Sequence, residues 1–192
     1  MLKYIILGVA LSSSAAYAAN EEDIQKLVQF DAKKTAVKRL DLSNADLRNY
    51  SFKDSKLNLE GANLSRSNLA GMNLSDINLS GADLRYANLS DAKLDNTNLS
   101  GANLSHANLS GAHLNNANLA NTNFKSANLA NTSMKQANLS HANLTCANLN
   151  AANLSNAVFS KANISGATFV NTVTNNASGY TDVVDQRINC AG

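Results

Sequence analysis

From Leu42 onward a large apolar residue returns at every fifth position: Leu42, Leu47, Phe52 and Leu57, then in a shifted phase Leu59, Leu64, Leu69, Leu74 and on to Phe159, Ile164 and Phe169. About 27 such pentads follow one another with hardly a lapse. Two positions before each apolar centre stands a small residue, mostly Ala, as at Ala62, Ala82, Ala102, Ala107, Ala142 and Ala162, with Thr97, Thr122 and Thr132 in the same slot. A period of five matches neither the 3.6 of a helix nor the 2.0 of a strand, so the chain must turn within every pentad. One short straight side and one corner per pentad would send the large and small residues inward and leave Asn, Ser and the variable residue in water. Stacked coils would then bury a continuous column, including Leu64, Leu84, Leu104, Phe124, Leu144 and Ile164. Each buried Leu contributes roughly 1.5 to 3 kcal/mol, most of which is offset by the ordering of the chain.

The period breaks once, at "SKLNLEGANL", where Leu57 and Leu59 are both candidate centres, and one irregular corner is expected there as a packing adjustment or a small loop. Upstream, residues 1–18 resemble a secretory signal: Lys3 at a positive start, "YIILGVAL" as the apolar stretch, and "AYA" ending at Ala18 as the cleavage site. Cleavage between Ala18 and Ala19 is expected, and with it a periplasmic or secreted location. A membrane anchor would need about 20 apolar residues, and the polar Ser12 to Ser14 interrupt the run well before that. Residues 19–41 form a lead-in in which Asn20 caps a short amphipathic helix over residues 20–31, with Glu21, Glu22 and Asp23 in its first turn. Stacked strands leave open backbone at both ends of the pile, and this helix is expected to cover one of them.

The pentads "ANLSG", "ADLRY", "ANLSH", "ANLAN" and "ANLTC" resemble the A(D/N)LXX consensus of pentapeptide repeat proteins. The resemblance implies an all-β fold, a right-handed quadrilateral parallel β-helix over residues 42–170 with four pentads per coil, here preceded by the short capping helix. It implies about seven coils and a rod on the order of 33 Å long. Residues 171–192 lose the period after Phe169 and are expected to form a C-terminal cap or tail. Tyr180, Val183, Val184 and Ile188 would fold over the last coil or meet a second subunit, since relatives dimerise through that end.

Composition narrows the chemistry. The 192 residues include no Pro and no Trp, and the formal charge of +2 creates no large single-sign field. Loss of Lys3 with the leader would leave about +1. Cys146 and Cys190 would meet a disulfide-permissive compartment after export, where either a bridge or two separate thiols is compatible with their spacing. His106, His113 and His141 fall on different faces and assemble with no acid or serine, and a regular rod offers no cleft. No catalytic residue, cofactor or metal site is therefore expected.

Taking every twentieth residue sorts the outward positions into four columns. One carries Ser65, Arg66, Arg85, Tyr86, Ser105, His106, Lys125, Thr145 and Cys146, and it is net basic with an aromatic even beside Asp83. Arg66, Arg85, Tyr86, His106 and Lys125 are the candidate interaction face, for a partner protein or an envelope polymer such as an acidic polysaccharide; an ordinary solvated face is the other reading. The opposite column, with Asp76, Asp95, Asn96, Lys135 and Gln136, mixes signs, and the two flat columns of Gly and Ser reflect tight corners.

The resemblance also implies an alternative, protection of a type II topoisomerase such as gyrase by a rod that imitates duplex DNA. The near balance of Lys and Arg with Asp and Glu between Leu59 and Val170 argues against it, because duplex DNA presents one negative charge per about 1.7 Å. No nucleic acid partner is expected. A second alternative, adsorption to ice or crystalline polysaccharide, is weakened because Thr97, Thr122 and Thr132 sit at inward positions.

Overall fold

The computed structural model describes residues 41–48, 59–179 and Cys190. The expected leader and the capping helix over residues 20–31 lie outside the described residues, as do Tyr180, Val183, Val184 and Ile188. The described chain coils into a four-sided parallel β-helix. Asn63 bridges Asp83, Asn68 bridges Asn88, Asn73 bridges Lys93 and Asn78 bridges Asn98, and each series repeats up the rod as a ladder of parallel single-residue bridges. One of the two longest ladders passes through Asp41, Asn63, Asp83, Asn103, Asn123, Asn143 and Asn163. Six coil spacings of about 4.8 Å make it roughly 29 Å tall.

The pentad 103–107 shows why this sequence closes into such a wall. Asn103 N–H donates to Ala82 O in the coil before (2.9 Å), and Leu104 N–H to Asn123 O in the coil after (2.7 Å). His106 N–H donates to Lys125 O (2.9 Å), and Ala107 N–H closes the corner on Leu104 O (3.1 Å). The remaining donor, Ser105 N–H, is satisfied by Asn103 Oδ1 (3.1 Å). All five amide donors are thus paired, the condition for burying so much backbone. The residue before the centre is Asn or Asp in most pentads because it must supply that fifth acceptor. Where His113 and Ser133 take the place, Asp95 Oδ1 receives Asn115 N–H (2.9 Å) and Asn115 Oδ1 receives Lys135 N–H (3.2 Å) from the coil above.

The Asn side chains also bond to one another along the axis. Asn88, Asn108, Asn128 and Asn148 each donate from Nδ2 to the Oδ1 of the Asn one coil below, at 3.2 to 3.3 Å. Inside, Leu64, Leu84, Leu104, Phe124 and Leu144 are fully buried, with the Ala column packed beside them. Thr97 and Thr122 are also buried, and their hydroxyls donate to Leu74 O and Leu99 O.

Three expectations change. Ile164 is only partly buried, because it lies in the uppermost coil of the described residues. Ser105, expected to face water, is only 9% exposed. The coil also continues beyond 170: Val173 bridges Asn153 and Ser178 bridges Val158, so the wall closes at Ser178. The apolar period fails there, in the uppermost coil of the described residues, where Thr174 is exposed. Gly179, at φ +75°, then crosses the wall where a Cβ would come within 2.5 Å of Ser160 N. The phase break reads directly in the register: Asp41 pairs with Asn63 across 22 residues, whereas later coils repeat every 20. Residues 49–58, which hold that extra pair, lie outside the described residues.

A disulfide joins Cys146 to Cys190, Cα to Cα 5.6 Å, closing a separation of 44 residues. Cys190 Sγ also lies 3.5 Å from Gly166 O, so the bridge clips the tail against the two uppermost coils. In the chain-entropy picture, closing a loop of this length stabilises the fold by about 4 kcal/mol. Cys146→Ser should therefore lower the melting temperature in calorimetry, and reductant should do the same to the parent; a parent melt indifferent to reductant would contradict the clip. In the core, Leu104→Asp should abolish the cooperative melt, whereas Asp at exposed Asn116 should leave it within a few degrees.

Candidate functional site

Each corner is a tight turn whose third residue lies in the left-handed region, at φ between 55° and 72° in the regular coils. Together with the bond from the fourth residue's N–H to the first residue's carbonyl, this is the type II geometry, which favours Gly or Asn at that third place. Three of the four corner columns largely comply. One runs Gly71, Asp91, Gly111, Asn131; another Asp76, Asn96, Asn116; the third Gly61, Gly81, Gly101, Asn121. The fourth runs Arg66, Tyr86, His106, Ser126 and Cys146 before it reaches Gly166, five successive coils without Gly, Asn or Asp. Side chains of this kind in the left-handed region cost roughly 1 to 2 kcal/mol each.

These residues touch. The Arg66 guanidinium carbon lies 5.0 Å from the Tyr86 ring centroid. On the opposite face, the His106 ring stacks on Tyr86 with centroids 4.9 Å apart and planes 7° from parallel. The coil spacing of about 4.8 Å imposes this arrangement, since identical corner positions one coil apart project flat groups in register. Both faces of Tyr86 are thereby covered. The residue nevertheless remains 51% exposed.

Arg85 is paired with an acid instead. Its Nε and Nη2 donate to the two carboxylate oxygens of Asp83 at 2.9 and 2.7 Å, and this bonding raises the guanidinium above its ordinary value. Arg48 and Asp46 form the same pair at the start of the rod. The expected face thus loses Arg85 as an uncompensated cation, because an Asp two residues earlier lies on the same side of the wall and within reach. Lys125 is exposed on the same side of the rod, one coil above His106, and Ser65 is turned inward to Asn63 Oδ1 (2.8 Å). Neither Arg66 nor Lys125 has an ion-pair partner among the described residues.

His113 and His141 lie on other sides, and no group of three or more His, Cys, Asp or Glu gathers as a metal site among the described residues. Nor is any helix there long and apolar enough to cross a membrane. The twenty-residue count was sufficient to put Arg66, Tyr86 and His106 in one column. Sorting by side concealed the sharper signal, which is that this column goes five successive coils without Gly, Asn or Asp, whereas the others depart only at Gln136, Ala151, His141 and Lys161.

The pentapeptide repeat model matches residues 62–101, 102–140 and 132–171, in eight copies. The chain belongs to the pentapeptide repeat family. Members fold as right-handed β-helices and are in general structural or interaction modules. No curated protein sequence matches the chain closely enough to serve as a relative. Among solved structures it is similar to QnrB1, a plasmid-mediated fluoroquinolone resistance protein, at 21% identity over 62% of this chain and 65% of that one, with a TM-score of 0.35. It is also similar to HetL of Nostoc sp. strain PCC 7120, involved in heterocyst differentiation regulation, at 23% identity over 79% and 92% of the two chains and a TM-score of 0.29. A pentapeptide repeat protein of the cyanobacterium Cyanothece 51142 is 34% identical over 64% and 69%, with a TM-score of 0.27. This chain thus spans a little under two thirds of the QnrB1 chain.

Replacing Arg66, Tyr86 and His106 together by Asn, which accepts the left-handed region, should leave the melting temperature unchanged or raise it by a few degrees. A stack that served mainly to hold the rod together would instead give a clear fall in the same thermal scan.

Proposed function

We propose that this pentapeptide repeat protein is exported and acts as a non-enzymatic interaction module in the cell envelope, with the Arg66–Tyr86–His106 corner as its contact surface. The observation that carries this reading is the corner column itself, in which five consecutive coils give up the residues a type II turn favours. Strain of this kind concentrates where a surface serves something other than the fold. Export is supported by the signal-like residues 1–18 and by the bridged pair Cys146 and Cys190, which suits an oxidising compartment.

The charge pattern favours this over imitation of DNA. Between Leu59 and Gly179 the acids are Glu60, Asp76, Asp83, Asp91 and Asp95, against Arg66, Arg85, Lys93, Lys125, Lys135 and Lys161. A surface that replaces duplex DNA in a protein's binding site needs a dense negative field, and this one is balanced.

Protein recovered from the periplasm or medium of its host should begin at Ala19; an intact Met1 in the cytosol would contradict export. Purified mature chain should sediment with envelope fragments, and the triple Asn variant at positions 66, 86 and 106 should lose most of that binding. Equal sedimentation of variant and parent would overturn the assignment of the corner.

A further inference from the structure

The geometry of the corner restricts what it can hold. Flat apolar faces of neutral sugars are held by packing on an open aromatic face, but Arg66 and His106 cover both faces of Tyr86. An extended peptide is commonly held by adding a strand to an unpaired sheet edge. Among the described residues the sides of this rod have no such edge, because their backbone groups point along the axis into neighbouring coils, as Tyr86 N–H does to Ser105 O and His106 N–H to Lys125 O. What the corner does offer is a row of side-chain edges: guanidinium N–H groups, a phenol hydroxyl and imidazole nitrogens, one per coil.

Charge completes the picture. Arg85 is committed to Asp83, whereas Arg66 and Lys125 have no acidic partner among the described residues. They stand three coils apart along the axis, about 14 Å. With the Arg66 guanidinium laid against Tyr86, a single small anion held there would leave the His106 edge and Lys125 unused. An extended polymer with repeated acidic groups can use both, bringing one anion to Arg66 and another to Lys125 while its hydroxyls bond the Tyr86 and His106 edges between them.

We propose, on the reading that this corner is the contact surface, that its ligand is an acidic polysaccharide, recognised through its carboxylate or other anionic groups and its hydroxyls along the rod axis. Recognition through charge and hydroxyl edges explains why the column keeps two cations at its margins and polar-edged rings at its centre.

The test uses the mature chain with its disulfide intact, in affinity electrophoresis and calorimetry against polygalacturonate, dextran and polyglutamate. Polygalacturonate should bind, with an affinity that falls as salt is raised, and dextran should not. Arg66→Asn and Lys125→Gln should each weaken binding by about tenfold, and polyglutamate should bind at least that much more weakly than polygalacturonate. Equal binding of polyglutamate would overturn the carbohydrate assignment, and equal binding of dextran would overturn recognition by charge. Absence of polygalacturonate binding, with envelope binding still lost in the triple Asn variant, would overturn the ligand class and leave the corner standing. Absence of both would remove the corner as well.

Discussion

The structure depends on one constraint: a wall made of single-residue bridges must pair every backbone donor within a five-residue repeat. Four donors are met by neighbouring coils and by the corner bond, and the fifth by an Asn or Asp side chain just before the apolar centre. That requirement explains the Asn at Asn103, Asn108 and Asn123 better than solvent exposure does. It also explains the exchange seen on the third side, where Asp95 and Asn115 take over when His113 and Ser133 cannot serve. Because the hydrogen bonds run along the axis, they fix the coil spacing, and the spacing in turn fixes how close like positions lie on the surface.

The candidate site is a consequence of that spacing. Side chains at equivalent corners are held about one ring thickness plus a small offset apart, so Arg66, Tyr86 and His106 stack without any loop or insertion to orient them. A regular wall is therefore a precise ruler for groups that repeat along a polymer. The cost falls on the backbone, which must hold these residues in the left-handed region at φ near 60°. The other three corners show what the chain mostly adopts when the fold alone decides, namely Gly, Asn and Asp, with Gln136, Ala151, His141 and Lys161 as departures in the upper coils.

Much of this was legible in the sequence because a single short period carries both the core and the turns. The five-residue spacing of Leu and Ala identified the inward positions, and the twenty-residue count aligned Arg66 with Tyr86 and His106. The shift at Leu57 and Leu59 anticipated the 22-residue register of the first coil. What the pattern could not reveal was local pairing and the end of the coil. Arg85 turns back to Asp83 through two side-chain bonds, a choice among rotamers that spacing does not decide. Thr174 and Val173 still complete a coil although the apolar period has lapsed, because backbone bridges to the coil below need no core residue above. Ser105 and Ser165, at the same place in the repeat three coils apart, are both buried, which the spacing alone did not reveal.

A contact surface at the Arg66 corner must meet envelope material in the living cell. A photoreactive phenylalanine analogue at position 86, compared with the same group at position 116 on another corner, tests this in the native host. Light should yield adducts from position 86 alone, and these should fractionate with the envelope. Equal adducts from both positions, or adducts confined to the cytosol, would contradict it.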